Sequence, residues 1–208
     1  MYLSLLVINI QRINYNTVSL KTTRPTGFSF VPGHSCLLHL PGTEQHTARA
    51  FTFISTNQDP HLEFLIKKSA DPKSITHLFM TAKPNDVLTL TGLFGTHRST
   101  GPGTFIAAGI GIAPFLAIAR SHPDLAKEST VVWSLKQATD IIYELELRQR
   151  FKDVIITLTQ ETHPTYQHGR ITKELLTAVP LHTIQTCGSY EFNKEMNLLI
   201  AKLNQKLQ

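Results

Sequence analysis

Short apolar runs separated by turn-forming residues fill the first half of the chain. They are Leu3–Ile10, Val18–Lys21, Ser35–Leu40, Arg49–Ser55, Leu62–Lys67 and Val87–Thr91, and the breaks fall at Arg24–Gly27, Pro32-Gly33, Pro41-Gly42, Asn57–Pro60 and Lys83–Asp86. Runs of this length bounded by Gly, Pro, Asn and Asp read as strands. Short strands at this spacing predict a barrel or sandwich. Residues 74–81 interrupt the pattern, and Ser74 is placed to cap a short helix there. Beyond Gly92 apolar runs alternate with helical stretches. Phe105–Ala108 precedes a helix over Ala113–Arg120, and Thr130–Leu135 precedes one over Ile142–Gln149, with Ile142, Leu145 and Gln149 on one side. Val154–Thr159, a helix over Thr172–Ala178 and a strand over Thr183–Cys187 follow. A last helix over Phe192–Leu203 carries Phe192, Met196, Leu199, Ile200 and Leu203 on one face. Strand–helix alternation predicts a parallel sheet covered on both sides. The expected fold is therefore an N-terminal antiparallel β-barrel over 1–98, then an α/β Rossmann-like parallel-sheet domain over 99–208, joined through the Gly- and Pro-rich segment 95–103.

Composition narrows the function more than the fold. The 208 residues are 41% hydrophobic and 17% charged, enough for one large domain or two small ones. The net charge of +5 suits an acidic partner or a phosphorylated ligand. There is no stripe of Lys and Arg interleaved with aromatics, which argues against nucleic acid. Two cysteines, Cys36 and Cys187, far apart in sequence, make neither a disulfide framework nor a metal quartet. They fit a reducing, cytoplasmic compartment. Residues 1–10 lack a basic leader and are too short to span a bilayer, so they read as a first strand and no membrane insertion is expected.

Four segments carry candidate chemistry. In Thr104–Arg120 a buried strand runs into Gly109 and Gly111, and Pro114 then sits in the first turn of an apolar helix. Unpaired N–H groups at such a helix start favour a pyrophosphate. The pattern is G-x-G-x-x-P rather than the full dinucleotide fingerprint, and read alone it is also an ordinary strand-to-helix turn. In Arg49–Ser55, strand alternation puts Arg49, Phe51 and Phe53 on one face and Ala50, Thr52 and Ile54 on the other. The arginine can pair a phosphate, the aromatic can meet a flat ring, and the Thr52 hydroxyl can donate to a ring nitrogen. In Lys73–Phe79, the N–H groups of a helix start could meet a second phosphate, or the segment is simply a capped helix. In Thr186–Ser189, Gly188 turns the chain directly after Cys187 and leaves the sulfur at the sheet's carboxyl edge, whereas a buried core cysteine is the alternative. No histidine neighbours Cys187 in sequence to make it a thiolate.

Arg-x-Phe-Thr at 49–52, the Ile75-Thr76 helix start, Ala107–Pro114, Gly169-Arg-Ile-Thr172 and Cys187-Gly188 occur in one order, and that order resembles the ferredoxin–NADP reductase-like flavoprotein superfamily. Phe30–His34 is similar to the family's Phe-x-Pro-Gly-Gln, and Lys83–Gly95 to its Lys-Pro-Gly-Asp…Gly-Pro-Phe-Gly. The resemblance runs from about residue 28 to the end, and compact NAD(P)H–flavin reductases look close.

The resemblance implies FAD, or FMN, in the first domain and NADH or NADPH in the second. It implies that Arg49 holds the flavin phosphate and that Phe51 flanks the isoalloxazine. Thr52 would bond near flavin N5. Ser74 and Thr76, with the N–H groups around them, would meet the flavin pyrophosphate. Gly109, Gly111 and Pro114 would shape the pyridine-nucleotide pyrophosphate site, while Cys187 lies against the nicotinamide and Gly188 makes room for it. Thr52 and Cys187 are then the side chains nearest the hydride passing from nicotinamide C4 to flavin N5. The protein contributes position and polarity, and no general base is needed.

Departures from the family are specific. Ala108 stands for a glycine, Lys73 for another, and Ser189 and Phe192 for Pro and Met. Thr159-Gln160-Glu161 replaces a Ser-Arg pair that holds the 2′-phosphate in many NADP-specific relatives, which leans toward NADH, with Lys136 as a possible phosphate partner. Two cysteines cannot supply a C-x₄-C-x₂-C cluster, so this chain carries no iron–sulfur centre of its own. The implied function is a flavin-dependent NAD(P)H oxidoreductase that feeds a separate acceptor: an acidic ferredoxin, a flavodoxin or an oxygenase-type partner. The alternatives are a reductase using free flavin as substrate and a non-catalytic regulatory subunit. No metal site is expected.

Overall fold

The structure is a computed structural model that describes residues 2–40, 48–97, 100–180 and 183–204. The chain divides into two compact units, Met1–Arg98 and Ser99–Gln208. The turn expected at Pro41-Gly42 lies outside the described residues, as do Arg98 and Ser99 of the expected connection.

The first unit is built from β1 (Tyr2–Arg12), β2 (Thr17–Thr23), β3 (Ser35–His39), β4 (Arg49–Thr52), β5 (His61–Lys67), the short helix α1 (Thr76–Phe79) and β6 (Val87–Phe94). The strands form one antiparallel sheet in the order β4-β3-β6-β1-β2-β5. Its two outer strands meet where Phe53 bridges Phe64 and the Ile54 N–H donates to the Glu63 carbonyl at 2.8 Å, closing the sheet into a barrel. Alternation decides the faces. Leu5 and Val7 of β1, Leu88 and Leu90 of β6, and Cys36 and Leu38 of β3 are buried inside, while Tyr2, Leu6 and Ile8 are exposed outside. Phe30 stacks on Phe53 with centroids 4.1 Å apart at the centre of this core.

Two expectations change here. The run Arg49–Ser55 is a strand only to Thr52 and continues as a single bridge at Phe53. Ser74 does not cap α1. The helix begins after Ile75 without a side-chain cap, and the Ser74 hydroxyl bonds the Thr76 hydroxyl at 3.1 Å instead. A four-residue helix wedged between β5 and β6 is held by loop hydrogen bonds rather than by a cap.

The second unit alternates as predicted: β7 (Thr104–Ala108), α2 (Ala113–Ser121), α3 (Pro123–Lys127), β8 (Thr130–Leu135), α4 (Glu144–Arg150), β9 (Asp153–Leu158), β10 (Gln167–His168), α5 (Lys173–Thr177), β11 (Ile184–Cys187) and α6 (Tyr190–Asn204). All strands are parallel, in the order β10-β9-β8-β7-β11. Both faces are covered, which is why β7 and β8 are continuous apolar runs. Phe105 stacks on Phe115 of α2 at 4.9 Å on one side. Ile106 and Val132 pack with Met196 and Leu203 of α6 on the other.

The helix predicted at Ile142–Gln149 starts late. Tyr143 takes a left-handed conformation (φ 51°), so α4 begins at Glu144 and its phase is set by buried Leu147. Leu145, expected on one side with Ile142, is 72% exposed while Ile142 is buried. Among the described residues no helix is long and apolar enough to cross a membrane.

Candidate functional site

In the second unit the strands run outward from β7 through β8 and β9 to β10, and the chain then returns to place β11 on the other side of β7. The order therefore reverses between β7 and β11, and open α/β sheets bind ligands at the carboxyl ends of the strands at such a point. The residues found there are Ala108, which ends β7, with Gly109 to Ile112 after it, and Cys187, which ends β11, with Gly188 after it. Gly109 has φ +54° with open space beside it, a conformation that suits only glycine at low cost. Its carbonyl accepts the Trp133 indole N–H at 2.8 Å, and Trp133 is fully buried. Gly111 is required for a different reason: a Cβ would run into the Cys187 carbonyl. At Gly188 a Cβ would lie 2.5 Å from Phe192 and 3.1 Å from the Ala108 Cβ, so this glycine admits the Phe192 ring of α6. Pro114 lies in the first turn of α2, where it leaves no N–H unpaired. The Ala113 N–H is already bonded to the Ile110 carbonyl and Pro114 has none, so donors for a diphosphate would come from the Gly109–Ile112 turn that leads into α2.

Cys187 is half-buried, and burial pushes its thiol up to about 11. Burial thus favours the neutral thiol over a nucleophilic thiolate. Cys36 is fully buried and its thiol is raised further by the same cause. Gln160 is exposed at the end of β9, and its N–H donates to the Lys136 carbonyl at 3.0 Å. The Glu161 carboxylate accepts the Ala138 N–H at 2.7 Å, so its charge holds the turn after β8. A groove of about 740 Å³ lined by Thr130, Lys152, Asp153, Thr177 and Pro180 lies at the opposite, amino-terminal edge of the sheet, away from this point.

In the first unit, β4 carries Arg49, Phe51 and Thr52. Arg49 is exposed, with its guanidinium on the Ala48 carbonyl at 3.3 Å, and is open to an anion. Phe51 is turned inward. It is 8% exposed and meets Phe79 edge-on at 5.0 Å. Thr52 is on the outer face, where its hydroxyl shares a 2.9 Å hydrogen bond with Ser35 directly opposite on β3. Thr76 accepts the Ser69 N–H at 3.1 Å and bonds Ser74, while a ring nitrogen of His77 reaches the Ser69 carbonyl at 3.0 Å. These hydroxyls hold the loop over residues 69–76. Near the start of β3, burial holds His97 below the ordinary histidine value, and the charge of His34 adds to the effect.

The structure thus brings Gly109, Gly111, Pro114, Cys187 and Gly188 to one edge of the second unit, with Gln160 just past the end of β9, two strands away from β7. In the first unit it puts Phe51 and Thr52 on opposite faces of β4. Ser35 and Trp133 are additions that sequence reasoning missed. Nothing local marks either one, because each acts through a partner on a different strand. Among the described residues no group of three His, Cys, Asp or Glu is placed to hold a metal.

Residues 105–197 match the family described as the oxidoreductase NAD-binding domain. The chain is 36% identical over 150 residues to the reductase component of propane 2-monooxygenase from Rhodococcus jostii, covering 68% of this chain and 40% of that protein. It is 28% identical to methane monooxygenase component C from Methylosinus trichosporium, covering 68% of this chain and 45% of that protein. The chain therefore spans less than half the length of either relative. Among solved structures, a ferredoxin NADP+ reductase from Neisseria gonorrhoeae with bound FAD and NADP superposes with a TM-score of 0.82 at 18% identity, covering 97% of this chain and 91% of that one. That last likeness concerns the fold.

Proposed function

Because the chain belongs to the ferredoxin–NADP reductase-like superfamily, we propose that it is a flavoprotein NAD(P)H oxidoreductase that passes electrons through FAD to a separate acceptor. The observation that carries this reading is the switch point between β7 and β11, where the open glycine turn over Gly109–Ile112 leads into α2 beside the end of β11. When bound, the pyridine nucleotide supplies a hydride and the flavin accepts it and releases electrons onward.

The chain's own residues bind and orient. Arg49 would pair the flavin phosphate, and the Thr52 hydroxyl, bonded to the Ser35 hydroxyl at 2.9 Å, would meet a ring nitrogen. Ser74 and Thr76 keep the 69–76 loop in shape, so that its backbone N–H groups rather than these hydroxyls meet the pyrophosphate. Trp133 fixes the Gly109 carbonyl and with it the turn that the nucleotide diphosphate sits on. Gly111 and Pro114 let α2 start close to β11, and Cys187 offers an uncharged surface to the nicotinamide, followed by the Gly188 turn. NADH is the favoured donor, since Gln160 supplies an amide where a cation would be needed for a 2′-phosphate. The acceptor is an oxygenase-type or ferredoxin-type partner, in keeping with relatives that are reductase components of monooxygenases.

The test is a visible spectrum of the purified protein with added FAD, followed during anaerobic addition of NADH. Flavin bands that bleach with NADH at lower concentration than with NADPH support the reading. A protein that binds FAD and never bleaches is a binding subunit. One that turns over free flavin without retaining it is a flavin reductase. Failure to bind either cofactor overturns the proposal.

A further inference from the structure

The sheet of the second unit is left half open along β9. That strand runs from Asp153 to Leu158, but β10 pairs only with its last two residues, Gln167 with Thr157 and His168 with Leu158. Among the described residues no strand lies beside Asp153–Ile156 on that side. Neighbouring hydrogen bonds give the phase of the open edge. The Gly169 N–H reaches the Leu158 carbonyl at 2.8 Å from the β10 side, while the Thr159 N–H reaches Leu135 of β8 at 2.9 Å on the other. Alternate residues of a parallel strand turn their backbone groups to alternate neighbours. Val154 and Ile156 therefore share the side of Leu158 and face the opening. Their N–H groups are two strand residues apart, about 7 Å, which is the repeat of another main chain.

This edge is the floor of a groove. A cavity of about 740 Å³ and one of about 380 Å³ nearer β10 both border Arg148, Val154 and Ile155. The two walls differ. Ile155 packs with Val179, and Ala178 and Pro180 continue that apolar side. The α4 wall is cationic. Arg148 lies across the edge, with its guanidinium on the Val154 carbonyl at 3.2 Å. Glu144 is the acid of this wall, and both its oxygens carry a hydrogen bond, from Arg148 at 2.9 Å and from the Tyr166 hydroxyl at 2.7 Å. Lys152, one residue before β9, is exposed at the mouth. The acid next to it, Asp153, falls by alternation on the side of Ile155.

We propose that the open edge of β9 takes an extended segment of a partner protein as an added strand, with side chains that alternate between apolar and acidic. The apolar ones meet Ile155 and Val179, and the acidic ones meet Arg148 and Lys152. A second copy of this chain is the poorer occupant. Walls rise on both sides of the edge, so a lone strand enters where another sheet, carrying its own helices, is held off. Until the segment arrives Arg148 caps the Val154 carbonyl, a charged side chain that blunts a free edge. The groove lies away from the switch point, so this inference stands or falls separately from the cofactor reading.

The probe is a short fluorescein-labelled peptide of alternating Val and Glu, titrated against the full chain by anisotropy. A peptide with Lys in place of Glu, and one with the same Val and Glu residues in two blocks, are each expected to bind about tenfold more weakly. Amide exchange at Val154 and Ile156 slows when the alternating Val and Glu peptide is bound. Lys152→Glu, a surface change with a parent-like melting curve, weakens that peptide several-fold and strengthens the one with Lys. Equal binding of all three peptides, or no binding of the first at millimolar concentration, overturns the proposal. Protection of Val154 and Ile156 that rises with protein concentration in the absence of peptide gives the edge to a second copy and overturns the partner segment.

Discussion

Glycines that look alike in sequence do different work in this chain. Gly109 needs its left-handed φ and has open space around it, whereas Gly111 needs the absence of a Cβ because the Cys187 carbonyl is in the way. The two predict different penalties. Gly109→Ala places a side chain in a left-handed conformation, a cost of about 1–2 kcal/mol. Gly111→Ala must push β11 away from the start of α2, an overpacking cost of about 1–3 kcal/mol with backbone as the obstacle. For a chain of this size each kcal/mol lowers the melting temperature by about 2–4 °C. Thermal denaturation followed by circular dichroism is expected to show the larger fall in Gly111→Ala, together with weakened pyridine-nucleotide binding. A Gly111→Ala protein that melts with the parent would remove the close approach as the reason for this glycine. The sequence made both positions candidates but could not tell them apart, because the obstacle at Gly111 comes from a strand more than seventy residues away.

Helices α2 and α4 are joined by an ion pair that no local pattern announces. Arg120 grips Glu146 through two hydrogen bonds of 2.9 and 2.8 Å, and Arg150 adds another at 2.7 Å. Burial alone would raise the Glu146 carboxyl, but the hydrogen bonds and charges of Arg120 and Arg150 more than offset it and hold it below the ordinary glutamate value. A carboxyl depressed in the folded state contributes stability in full above its unfolded value and loses it as pH falls through the folded one. Urea titrations are expected to show the parent losing stability below about pH 4.5, and Arg120→Met losing less over the same range. Since the site is partly open to solvent, the pair's share is about 1 kcal/mol. Equal acid sensitivity in both proteins would show that Glu146 does not drive the change. At this scale the hydrophobic pattern located the main strands and helices, because period two and period 3.6 are local properties. It misplaced the start of α4, because the left-handed turn at Tyr143 resets the helix phase and leaves Leu145 outside.

The whole chain carries a net charge of +5, which would bear on how the proposed reductase meets an acceptor. If the acceptor is an acidic protein, electrostatic steering raises the encounter rate and salt weakens it. Stopped-flow measurements at rising ionic strength are expected to show several-fold slower electron transfer to an acidic ferredoxin, while reduction of a neutral quinone changes little. Equal salt dependence for both acceptors would argue for a small-molecule acceptor instead.

The sequence by itself determined the β-rich and alternating α/β units, the order of the family motifs and the turn after β7, because each depends on neighbours within a few residues. It could not decide which face Phe94 occupies, since a single bulged residue at Gly92 inverts an alternation that otherwise predicts the opposite face. Nor could it find Ser35 beside Thr52 or Trp133 beneath Gly109. Those pairings exist only once strands distant in sequence lie in register, and register is set by the packing of the whole sheet.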